Sequence, residues 1–134
     1  MALADLDQAT ELAPKDAYLA LWLDIANKRS GLQSRLAEAM KQIDMTRWPA
    51  PTIRLYLGQM TPEAVLAAAD SPDADTRKRQ VCDADFFIGE LDLQEGKKDD
   101  ATRLFRSATA GCPEFLIAYE GANAELKALG QRPD

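Results

Sequence analysis

A chain of 134 residues is long enough for one compact domain and too short for two of ordinary size. Nearly half of it is apolar and about a quarter charged, which excludes a disordered or collagen-like class, and its formal charge of −6 repels phosphate backbones and so argues against a nucleic-acid partner. It contains no histidine, and so lacks the commonest general base, the commonest metal ligand and the usual partner of a nucleophilic serine or cysteine. No catalytic residue, cofactor or metal is expected, and no apolar run is long enough for a signal peptide or a membrane span.

Helical periodicity dominates and no stretch alternates with period two, so the fold class is all-α, with about eight helices stacked as antiparallel hairpins. Residues 2 to 13 place Ala2, Leu6, Ala9 and Ala13 on one stripe, flanked by Leu3 and Leu12, before Pro14 stops the helix. Residues 16 to 29 follow, from Asp16 as N-cap to the Ser30-Gly31 break. Tyr18, Leu19, Leu21, Trp22, Leu23, Ile25 and Ala26 cover most of this helix, so it is buried on more than one side.

Residues 32 to 45 carry a single stripe, with Leu32, Leu36, Ala39, Met40 and Ile43. Trp48, Pro49 and Pro51 make a rigid joint, because each proline fixes its own φ and disfavours the helical region for the residue before it. A short helix at about 50 to 58 ends near Gly58. Thr61 and Pro62 then start another, as N-cap and first-turn residue, which stops near Asp70.

A long helix spans 73 to 94, with one stripe of Val81, Ala84, Ile88 and Leu91 and a second of Cys82, Phe86, Gly89 and Leu93. Its partner, 97 to 111, turns Ala101, Leu104, Phe105 and Ala108 to one side and ends at Gly111, Cys112 and Pro113. A final helix at about 114 to 129 points Phe115, Ala118, Tyr119, Ala122, Leu126 and Leu129 inward. Its polar back suits a helix that closes a stack.

The spacing of Ile88-Gly89, Ala101, Phe105, Ala108 and Pro113 resembles the tetratricopeptide (TPR) repeat over residues 82 to 115. Asp85 and Asp92 stand where that family usually has tryptophan and tyrosine. Counting back from Pro14 finds Ala2, Leu6 and Ala9 at the corresponding positions, so the chain reads as one TPR-like domain over 1–134 that begins inside a repeat. An uncovered stripe on helix 2–13 would invite a second copy or belong to a larger protein.

The order of Trp48, Tyr56-Leu57-Gly58 and the Phe87 to Phe105 repeat is similar to the carboxy-terminal half of the NlpI-like bacterial envelope TPR lipoproteins. The resemblance implies a non-enzymatic adaptor of the periplasm or cell envelope that links a protease to a cell-wall hydrolase. What the chain lacks of that family is the amino-terminal part with its lipidated cysteine and dimerisation region. The alternative is a cytoplasmic TPR scaffold. An enzyme working through carboxylates alone is the remote third reading.

Protein or peptide partners are expected on the concave face lined by first helices. The candidates there are Tyr18, Leu21, Trp22 and Ile25 in the early hairpin and Asp83, Phe86, Glu90 and Gln94 in the good repeat. For Trp22 and Phe86 the competing reading is that they are core. Phe86 and Glu90 replace the basic and amide residues of a terminal-carboxylate clamp, which disfavours that type of TPR. Cys82 and Cys112 lie at complementary ends of one hairpin and could form a disulfide, or serve as two small buried thiols.

Overall fold

The structure, a computed structural model, describes residues 3–130. It is all-α, with eight α-helices and no strand among the described residues: α1 (Leu3–Leu12), α2 (Ala17–Arg29), α3 (Leu36–Ala39), α4 (Ala50–Tyr56), α5 (Pro62–Ala68), α6 (Ala74–Gln94), α7 (Lys98–Gly111) and α8 (Ile117–Ala128). The chain divides into two compact units, 1–61 and 62–134.

In the first unit α1 packs on α2, which also meets α3 and α4. The Asp16 carboxylate starts α2 by accepting from the N–H groups of Tyr18 and Leu19 at 3.0 and 3.2 Å, satisfying donors that the first turn leaves open. The helix stops at Gly31, whose φ of +71° turns the chain so that the Leu32 N–H reaches the Asn27 carbonyl at 2.8 Å. Leu21, Leu23 and Ile25 are buried, as are the polar Asp24 and Asn27, so α2 is covered on several sides.

The helix expected over 32 to 45 is much shorter. Only Leu36–Ala39 is α-helical, followed by a 3-10 turn at Met40–Gln42. Residues 32 to 35 are held instead by the turn after Gly31 and by the Ser34 hydroxyl, which donates to the buried Asp24 carboxylate. Leu32 is accordingly exposed, while Leu36 and Ile43 reach the core. Ala2, the first residue of the expected α1 stripe, lies outside the described residues; of the rest, Leu6 is buried and Leu12 is 80% exposed.

In the second unit Asp73 caps α6 through the Thr76 N–H at 2.9 Å, and Gly96, at φ +81°, lets the chain reverse into α7. The α6–α7 pair is held by small residues facing rings. A Cβ built on Gly89 would stand 2.8 Å from the Phe105 ring, so the two helices meet where α6 has no side chain. Gly121 does the same for α8, where a Cβ would fall 2.6 Å from Phe86. Phe86 and Phe105 are fully buried with centroids 6.1 Å apart, and Phe87 meets Phe86 edge-on at 5.1 Å.

The last helix starts three residues later than its periodicity suggests. Leu116 is its N-cap residue, with φ −79° and ψ 142°, so Phe115 lies in the turn before it and is 79% exposed rather than inward. Ala118, Ala122 and Leu126 make the buried stripe.

Candidate functional site

Four of the eight groove candidates are interior. Leu21 and Ile25 are closed off within the first unit, and Phe86 is enclosed by Phe87, Phe105 and Gly121. Glu90 is 2% exposed. Those four are corrected from groove to core: two apolar faces on one helix mean two covered faces, and a covered face offers nothing to a partner. Tyr18 is exposed, and Trp22, Asp83 and Gln94 keep partial exposure on α2 and α6. Trp48 is also half-buried.

Cys82 and Cys112 form a disulfide with their Cα atoms 5.5 Å apart. The bond ties the first half of α6 to the residue just after α7, which requires the two helices to run antiparallel. Both cysteines are buried.

Asp85 and Asp92, the two departures from the TPR spacing, lie half-buried on α6. Burial pushes the Asp85 carboxyl up to about 6. Burial also raises that of Asp92, with Asp100 and Glu95 adding to the rise and Lys97 and Arg103 opposing it. Among the described residues no three His, Cys, Asp or Glu side chains converge as metal ligands.

The first unit contains a cleft of about 460 Å³ bounded by α1, α2 and α3. Ala20, Leu23, Leu36 and Ala39 give it apolar walls, and its charged lining is mainly acidic. Arg35 pairs with Asp7 of α1 beside it. Asp24, whose side chain is 1% exposed, is held by Lys28 at 2.9 Å, and the Lys28 ammonium also lies 5.1 Å from the Tyr56 ring centroid. Asn27 lines the cleft, is 3% exposed and has a side-chain amide nitrogen with no hydrogen-bond partner.

Sequence reasoning missed this cleft. Its residues come from three segments, and no spacing within one of them signals it; the mid-helix polar pair Asp24 and Asn27 is the one visible hint.

Among the described residues no helix is long and apolar enough to cross a membrane. Searched against models of known protein families, the sequence matches none.

Proposed function

We propose that this chain is a non-enzymatic adaptor of the tetratricopeptide type that works at the bacterial cell envelope and holds protein or peptide partners. The partners the NlpI-like resemblance implies are a periplasmic protease and a cell-wall hydrolase. The observation that carries the reading is the α6–α7 hairpin, in which Gly89 lies against the Phe105 ring, a close approach that supports the resemblance to the TPR spacing. Support for the envelope comes from the Cys82–Cys112 disulfide, since such bonds persist in oxidising compartments. The exposed parts of Tyr18, Trp22, Asp83 and Gln94 are the contact points that remain after the buried candidates are removed.

A photo-crosslinking residue placed at Tyr18 or Gln94 in cells of the source organism tests the function. The expected result is capture of one defined envelope protein from these positions and not from Thr102 on α7. Capture of nothing, or equal capture from Thr102, would overturn the adaptor reading. Blocking free thiols before lysis tests the compartment: Cys82 and Cys112 should be protected until reduction, and two free thiols would favour the cytoplasmic scaffold.

A further inference from the structure

We propose that α8 is a cover over the Cys82–Cys112 disulfide: outside thiols are shut out while α8 is docked, and reduction waits until it lifts. The inference does not depend on the adaptor reading, because it concerns the second unit alone.

The first ground is access. Thiol–disulfide exchange needs a thiolate to reach one of the two sulfurs, so the bond reacts only where that approach is open. Cys82 is 4% exposed and Cys112 is 8% exposed. Neither sits in a loop that can swing aside by itself. Cys82 is inside α6, and the Cys112 N–H donates to the Ala108 carbonyl at 2.9 Å as α7 ends.

The second ground is what lies over the bond. Cys82 and Phe86 are one helical turn apart and so share a face of α6. On that face Gly121 of α8 stands against Phe86, close enough that a Cβ would fall 2.6 Å from the ring. The first residue of α8, Ile117, comes only five residues after Cys112, which keeps the start of the helix beside the bond. Ala118, in that first turn, is buried.

The third ground is that α8 is the element of the three most easily lifted. α6 and α7 are joined by the Gly96 turn, by the close approach of Gly89 to Phe105 and by the disulfide itself. The N-cap of α8, Leu116, supplies no side-chain hydrogen bond, and two of its three buried residues are alanines. Segments that bury little apolar surface are the ones that open below global unfolding.

Once α8 lifts, a dithiol such as dithiothreitol attacks one sulfur through a thiolate, forms a mixed disulfide and then closes on itself through its second thiol. Two electrons pass to the protein. The S–S bond becomes two thiols, which take up the two protons of the dithiol, and the reductant leaves as a cyclic disulfide. A folded chain that carries the bond therefore keeps it through a passing rise in outside thiol.

The test follows reduction of the oxidised full chain by dithiothreitol, with alkylation and mass spectrometry counting the thiols formed. At one reductant concentration the folded chain should react about a hundredfold more slowly than the chain unfolded in urea. Gly121→Ala, which drives a methyl group into the Phe86 ring, should speed the reaction by about tenfold. Leu36→Ala, a core change in the first unit, should leave the rate as it is. Urea below the unfolding transition should accelerate reduction as Gly121→Ala does, which serves if that variant does not fold. Equal rates for the folded and unfolded chains would overturn the proposal. So would a Gly121→Ala rate equal to that of the parent, or an equal acceleration by Leu36→Ala, which would mean that the bond opens only when the whole chain unfolds.

Discussion

Burial holds the Asp85 carboxyl near 6, so between about pH 4 and pH 6 the folded chain keeps a proton that the unfolded chain releases. Because the folded value lies above the unfolded one for an acid, stability falls as pH rises through that window and levels off above it. Asp85→Asn should therefore stabilise the protein by about 1–2 kcal/mol near pH 7 and change little near pH 4. Urea unfolding of both proteins at the two pH values checks this, and an equal gain at both would refute it. The same scale shows where a sequence stops being informative. Leu21, Ile25 and Phe86 read correctly as apolar, but a pattern counts the buried faces of a helix without saying whether protein or partner covers them. Asp24 was illegible for a related reason: its anchors are Lys28 one turn on and Ser34 beyond the Gly31 turn, and only the folded chain brings Ser34 back.

Helices were legible wherever a cap and a stop were both written in the sequence, as Asp16 with Gly31 and Asp73 with Gly96 show. The 32 to 45 helix was over-read because its apolar spacing continues through residues that the Gly31 turn and Ser34 hold out of the helix. Packing between helices gives a sharper prediction. Gly89→Ala would gain about 1 kcal/mol in helix propensity and lose about 1–3 kcal/mol to overpacking against a ring with no room to move, so the variant should be less stable. Adding Phe105→Leu should recover part of the loss, measurable by chemical denaturation; a more stable Gly89→Ala would mean that the helices can separate at no cost. Between the same helices, the disulfide closes a sequence separation of 30 residues, and its removal by Cys82→Ser with Cys112→Ser should cost about 3–4 kcal/mol. Denaturation with and without reductant reads that loss, and coincident curves would show that the bond does not constrain the unfolded chain.

The chain as a whole is two compact units, although its single run of helical periodicity reads as one domain. Sequence patterning reports which residues seek burial, so the fold class was legible; it does not report which other segments they meet. The second unit contains its own disulfide, its aromatic core and the stop at Gly130. Residues 62–134 expressed alone should accordingly be helical by circular dichroism and unfold cooperatively in urea, whereas a gradual melt would show that this unit depends on the rest of the chain. The disulfide also bears on survival. Residues 95 to 97, the exposed turn between α6 and α7, and Lys98 at the start of α7 include two lysines and lie inside the loop that Cys82 and Cys112 close. A protease that cuts there leaves two fragments still joined through sulfur, so a nicked molecule would run as one species until reduced. For a chain proposed to work beside proteases, the bridge makes damage at this exposed turn survivable.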